Sequence, residues 1–493
     1  MRFLLLVWVA AYFCNSCVYS QNKKNISLFE CIDIAADSSL QAFIAKNYYQ
    51  GGYWEYRAYK AARLPSLSFK TIPVQYNRSI VRRYDFIDNV DVYRVQQSLY
   101  SSGGAILSQN LDLTGGTFFV DSELGFIQNY GSNGNRQYNA VPIRIGYSQA
   151  IWGFNGFRWE RKIAPLKFEK EKKLFLYRQQ EIAENTVNYF FNYAQAQKEY
   201  ELALENSLSA DTLYSIGLER QKISAISGAD VLALKLEKIT AQNTLESVEI
   251  ALKDAKFAFV TFLNLDRSKE YSLDLPKNID EIIIPIDNAL QYIQDNNPDY
   301  LGYQQEILEA ESEVERSRKS IFDASVSASV GFNQVATNLS GAYYNPLRQD
   351  IVAVSVTVPV LDWGLRKGRI NMAKSNLDVK RLSVQQKKQS IEQELISTVN
   401  FFYNQKRLLG SAHEVLSLAN DAYQINKQRF IVGRTDMTTL TLSLNRYREA
   451  QRYYINSLTH YWTSYYKIKK MTLYDFKKRE NLSVLLKSEI TNF

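Results

Sequence analysis

The chain is poor in the residues that chemistry most often needs. Only two histidines, His413 and His460, occur in 493 residues, both within helical periods, and no Ser-His-Asp, HExxH, CxxC or P-loop pattern is present. Neither catalysis nor a bound metal or cofactor is expected. Of three cysteines, Cys14 and Cys17 lie in the opening segment, so Cys31 is left with no internal partner for a disulfide. Apolar runs long enough for a membrane-spanning helix of ~20 residues are missing, and a mean hydropathy of −0.30 excludes a polytopic helical membrane protein. Blocks of one charge are missing too. The net charge of +8 comes from 59 basic and 51 acidic residues spread along the chain. That spread describes solvated helix faces and gives no reason to expect a nucleic-acid partner.

What is present begins with an export signal. "MRFLLLVWVAAYFCNSCVYSQ" has an early Arg, a short apolar run and small residues, which predicts a signal peptide over 1–20 cleaved after Ser20. Lipidation of Cys17 is the alternative reading of the same segment. Nine prolines punctuate the chain and none follows Pro359. Beyond it, apolar residues recur every seven: Ile370, Leu377, Val384 and Ile391. After a four-residue jump the series resumes at Leu395, Phe402, Leu409, Leu416, Tyr423 and Phe430. Sevens specify a coiled-coil seam and the jump is a stutter. Residues 366–432 are thus expected to form one helix of ~100 Å at 1.5 Å per residue. A second helix follows Gly433, closing an antiparallel hairpin.

The first half repeats the plan. "TVNYFFN" at 186–192 returns as "TVNFFYN" at 398–404, Trp152-Gly153 as Trp363-Gly364, and Leu232, Leu234 and Leu236 as Leu440, Leu442 and Leu444. Such nearly constant offsets mark an internal duplication. Helices are expected over 158–215 and 231–264, with Asn188 and Asn400 as polar layers in the bundle or as pore-lining groups. Ahead of each hairpin, alternating segments predict a strand pair: 64–76 with 138–152, joined by a long connection, and 325–332 with 350–363. A further helix precedes each pair, at 37–66 and 296–322, with Lys60 and Lys319 in matching places. The expected domains are 21–63 (N-terminal helix), 64–152 (strand pair 1), 153–265 (hairpin 1), 266–321 (linker and helix of the second repeat), 322–363 (strand pair 2), 364–475 (hairpin 2) and 476–493 (tail).

Four strands cannot close a sheet in a membrane, where every backbone donor and acceptor must be paired. Three chains would supply twelve. With "NNPDYLGYQQEILEAE", "PVLDWGLRKGRI", "QRFIVGRTDMTTLTL" and "SQAIWGFNGFRWERKIAPLKFE" in this order, the mature chain resembles the TolC-like outer-membrane efflux proteins, in the version common among Bacteroidetes. The resemblance implies a mostly α fold with a membrane β-barrel. Its trimer would have twelve strands in the outer membrane and twelve helices in a periplasmic tube. It also implies a homotrimer among outer-membrane lipids that docks onto a periplasmic adaptor and an inner-membrane pump, and exports small toxic compounds or proteins. A periplasmic coiled-coil adaptor is the competing reading.

In that family the tube is closed at its tip by polar and charged links. Asp230 matches the family's acidic tip position, Phe430 stands where a Tyr can occur, and Thr439 and Leu442 replace an Asp ring found in some members. Arg434 and Asp436 are the nearby charges. Asp230 and Asp436 would also suit helix caps, while Gly228 and Gly433 would permit tight turns. A closed-state pair between Asp230 and Arg434 is expected. Arg366, Lys367 and Arg369, beside Trp363, are expected at the periplasmic edge of the membrane.

Overall fold

A computed structural model describes residues 24–131, 134–224, 226–276, 281–320 and 323–484. The expected signal segment with Cys14 and Cys17, and the end of the tail, lie outside the described residues. The chain falls into two compact units: one of residues up to 49, 172–300 and 388 onward, the other of 50–171 and 301–387.

The duplication is plain in the helices. Helix α3 (Gly156–Lys222) and helix α7 (Leu365–Ile431) have 67 residues each, and their return helices α4 (Gly228–Leu263) and α8 (Met437–Thr472) have 36 each. Each helix of 67 residues is ~100 Å long at 1.5 Å per residue. None of the described helices is long and apolar enough to cross a membrane.

In the first unit, the repeated phrases are core. Val187 and Val399, and Phe190 and Phe402, are all fully buried, and Phe402 stacks on Tyr461 with ring centres 4.9 Å apart. Thr186 and Thr398 each turn back to a carbonyl one helical turn earlier, at 2.7 Å. Asn188 and Asn400, by contrast, are exposed in the single chain. Asn188 accepts a bond from Thr463 at 3.2 Å. Strand β1 (Lys24–Ser27) pairs in parallel with β6 (Tyr271–Asp274), a contact that no local pattern announced. Helices α1 (Leu28–Ser38) and α5 (Ile286–Asn296) also belong to this unit.

The second unit is built on one antiparallel sheet. Its strands are β2 (Ser66–Asp85), β3 (Val90–Asn110), β4 (Thr117–Tyr130), β5 (Arg136–Ile151), β7 (Asp323–Ala336) and β8 (Leu347–Thr357), in that spatial order. The expected four strands are therefore six. The long connection of the first half is itself a strand pair, β3 and β4, and the turn between them is tied down. Arg63, at the end of helix α2 (Leu40–Ala61), bonds Asp112 at 2.8 Å and the Phe157 carbonyl at 3.0 Å. Asn155 donates to the Asp112 carbonyl at 2.9 Å. Helix α6 (Pro298–Lys319) leads into β7.

Register gives the sheet two unlike faces. Leu67, Leu107, Val120, Ile145 and Val330 stand side by side on five successive strands. The next row, on the other face, reads Ser68, Ile106, Asp121, Arg144, Gly331 and Gln349. Arg144 holds Asp121 through two bonds of 3.0 and 2.8 Å. The first row is apolar on five strands and ends at Asp350 on β8, while the second is mostly polar, so in this band the two faces differ as they do in a membrane barrel wall.

Both strand-to-helix corners carry a tryptophan in a left-handed backbone. Trp152 has φ 57° and Trp363 has φ 50°, a region that bulky residues rarely enter. Their side chains are 78% and 90% exposed. Next to Trp363, Asp362 bonds the Arg366 guanidinium at 2.7 Å, and Arg366 also reaches the Pro359 carbonyl at 2.8 Å.

Candidate functional site

The candidate site is the pair of hairpin turns, residues 223, 224, 226 and 227 in the first and 432–436 in the second. Beneath them lies a shared apolar cluster of Leu213, Leu234, Tyr423, Leu440 and Leu444, against which Tyr214, Ile226, Phe430 and Tyr447 pack. Phe430, expected as a gate position, is thus part of the packing that holds the two hairpins together. Its lack of a hydroxyl suits that apolar setting.

Each return helix starts with a side-chain cap, Ser227 on the first and Asp436 on the second. Ser227 and Asp230 form a capping box: the Asp230 N–H donates to Ser227 Oγ at 3.2 Å, and the Ser227 N–H donates to Asp230 Oδ2 at 3.0 Å. Ser227 Oγ also bonds that carboxylate at 2.8 Å. The Ser227 hydroxyl and backbone hold the Asp230 carboxyl below the usual carboxylate range. Asp436 caps the second return helix by accepting from the Thr439 N–H at 2.7 Å, and that bond lowers its pKa as well. Thr439, in place of an Asp ring, contributes its backbone N–H to this cap. A leading carboxylate also suits the positive end of the helix dipole.

The expected Asp230–Arg434 pair does not form within one chain. Asp230 is engaged by Ser227, and Arg434 follows the turn with its backbone N–H on the Arg429 carbonyl at 2.8 Å, closing the end of α7. The link between hairpins is made by Arg220, which sequence reading missed. Arg220 Nη2 donates to the Ile431 carbonyl at 3.2 Å, so a cation sits at the negative end of α7. Gly433 has φ +73°, and a Cβ there would stand 3.3 Å from the Arg220 guanidinium. Gly228 has a different place: it opens helix α4, while Ser224 in that turn is left-handed, at φ 55°. Lower down, Lys427 bridges to Glu205 at 2.7 Å. Arg448 is partly buried, which lowers its pKa against the pull of Glu237.

No His/Cys/Asp/Glu cluster able to hold a metal occurs among the described residues. The arrangement ties the end of one hairpin's long helix to the other hairpin.

No protein-family model and no curated protein sequence matches the chain. Solved structures do match in shape. The CmeC outer membrane channel of Campylobacter jejuni superposes with a TM-score of 0.68 at 15% identity, over 94% of this chain and 89% of that one. The outer membrane protein VceC of Vibrio cholerae gives 0.62 at 13% identity, over 90% and 95%. The open-state MtrE outer membrane channel of Neisseria gonorrhoeae gives 0.57 at 14% identity, over 90% and 88%. The chain has the fold of these outer-membrane channels over nearly its whole length.

Proposed function

We propose that the protein is the outer-membrane channel of a tripartite efflux or type I secretion system. It works as a homotrimer whose sheets close a barrel in the outer membrane and whose hairpins extend into the periplasm. Its tips dock onto a periplasmic adaptor and, through it, an inner-membrane pump, and small toxic compounds or proteins leave through the lumen. The two turns, with Arg220, Asp230, Arg434 and Asp436, form the gate.

The observation that carries this reading is the two-faced sheet. An apolar row and a polar row alternate across its strands, while both edge strands keep one side without a partner strand among the described residues. Such a sheet can stand in lipid only if further copies pair its edges. The adaptor reading would need one hairpin flanked by lipoyl-like and small barrel domains. Two hairpins and this sheet speak against it.

Membrane fractionation and cross-linking of the intact protein test the proposal. A cross-linked trimer in the outer-membrane fraction, conducting in planar bilayers, is the expected result. A monomer in the periplasmic fraction would overturn it.

A further inference from the structure

We infer that the barrel this protein closes has eighteen strands, six from each of three copies, and a lumen wide enough for solutes of polypeptide cross-section. The inference rests on the trimeric channel proposed above. It departs from the twelve-stranded wall that the sequence resemblance implies.

The first support is that the extra pair is part of the wall. Strand β3 is paired along its length, with β2 on one side and β4 on the other, and β4 joins it to β5. The row of Leu67, Leu107, Val120, Ile145 and Val330 crosses both added strands without a break. The polar row beside it does the same through Ile106 and Asp121. Only Ile106 departs from the polar pattern there. A hairpin folded away from the wall would have no reason to keep the lipid-facing alternation in phase with its neighbours. The Arg63–Asp112 and Asn155–Asp112 bonds also fix its turn at the foot of the sheet.

The second support is parity. Strands alternate in direction, and six is even, so β2 and β8 run opposite ways. The β8 edge of one copy can therefore meet the β2 edge of the next as an antiparallel pair. A ring of three closes without a parallel seam. Adding two strands preserves this, whereas adding one would not.

The third support is curvature. Side chains on the polar face are small where the strands crowd: a Cβ on Gly104 would lie 2.7 Å from the Ser122 carbonyl oxygen, and one on Gly331 would lie 2.6 Å from that of Ile143. Both glycines point to the polar face, as their rows require. Missing side chains on one face let a sheet curl toward that face, so the polar face is the inside.

Width follows from strand count. At ~4.8 Å between strands and a tilt of ~40°, twelve strands make a ring about 25 Å across and eighteen make one about 37 Å across. A side-chain layer takes ~5 Å from each wall. The wider lumen then admits two α-helices side by side, at ~10–12 Å each, where the narrower one admits a single helix.

Electron microscopy of the full-length channel in lipid nanodiscs tests this. Three subunits around a ring of about 37 Å are expected from these spacings. Three subunits around a ring of about 25 Å would overturn the inference and leave the channel reading standing. A different subunit count would overturn both. Thiol labelling gives an independent measure, in a background with Cys31→Ser. Ser102→Cys and Ser108→Cys should react with a membrane-impermeant reagent from the lumen, and Ala105→Cys and Val120→Cys should be at least tenfold slower. Equal rates at all four positions would place β3 and β4 outside the wall. Finally, a polymer coil about 20 Å across, the width of two helices, should lower open-channel current when added from the outer side. A current unaffected by it would refute the wide lumen.

Discussion

Arg220 and Ile431 stand 211 residues apart in the chain and meet at the tip, where the guanidinium donates to the carbonyl at 3.2 Å. One hairpin thereby holds the end of the other hairpin's long helix. A hydrogen bond of this kind contributes ~0.5–1.5 kcal/mol net. In a trimer three copies add, and each ~1.4 kcal/mol shifts an open–closed balance tenfold. Arg220→Ala should raise open probability in single-channel recordings by tenfold or more, at unchanged trimer yield. Arg220→Lys should fall between, because an ammonium lacks the planar fork. Recordings from Arg220→Ala that match wild type would remove the latch from the gate.

The two caps give the tip an acid limit. Asp230 and Asp436 both have pKa values lowered from 3.8 by the bonds they accept. Their contribution is therefore complete above the unfolded value and lost as pH falls through the lowered folded values. Hydrogen exchange at the first turns of α4 and α8 should stay slow down to about pH 4 and quicken below it, after correction for intrinsic rates. Asp436→Asn should keep the cap and lose the acid response of its helix, since Asn caps as well as Asp. Asp436→Ala should fray that turn at every pH.

How much of this was legible in advance depends on how far apart the partners lie. The helices were legible because a sevenfold repeat is a local signal many turns long. The Ser227–Asp230 box was also local, a Ser followed three residues later by a carboxylate. Strands β3 and β4 were not legible. Their polar-face positions include Ser102, Gly104, Ser108 and Gly125, which weaken the strand signal and resemble a loop. Barrel strands alternate weakly for this reason. Arg220 left no trace at all, because its partner is a backbone carbonyl in the other repeat.

The tryptophan corners predict a split between backbone and side-chain effects. Trp152 and Trp363 occupy the left-handed region, where a bulky residue is held only by its surroundings, and both are largely exposed. Such tryptophans belong at a membrane interface. Trp363→Asn keeps a residue that tolerates the backbone but loses the anchor. The double variant Trp152→Asn, Trp363→Asn should express a folded chain with less trimer recovered in the outer membrane. If trimer recovery is unchanged, these residues are corner formers without a role as anchors.

Asp475 and Lys469 make the clearest stability prediction. The carboxylate is buried and accepts Lys469 Nζ at 2.7 Å, the Tyr465 hydroxyl at 2.7 Å, and the backbone N–H groups of Lys477 and Lys478 at 3.0 Å each. Burial pushes its pKa up, but Lys469 and the Lys478 N–H outweigh that, and the net shift is downward. Its stabilisation is thus complete above the usual 3.8 and fades as pH falls through the folded value. Asp475→Ala leaves Lys469 as an uncompensated, poorly exposed charge and takes a carboxylate acceptor from the Lys478 N–H, while the Lys477 N–H keeps the Tyr465 hydroxyl at 3.3 Å. A loss of ~3–5 kcal/mol is expected, the usual cost of breaking a buried pair from one side. Asp475→Asn keeps one acceptor and should cost less. Removing both charges, with Asp475→Asn and Lys469→Met, should cost clearly less than the sum of the two single changes, because neither partner is stranded. Thermal unfolding of the four proteins in detergent at neutral pH measures this coupling. Strict additivity would mean that the two side chains act independently and that the backbone bonds alone hold the turn.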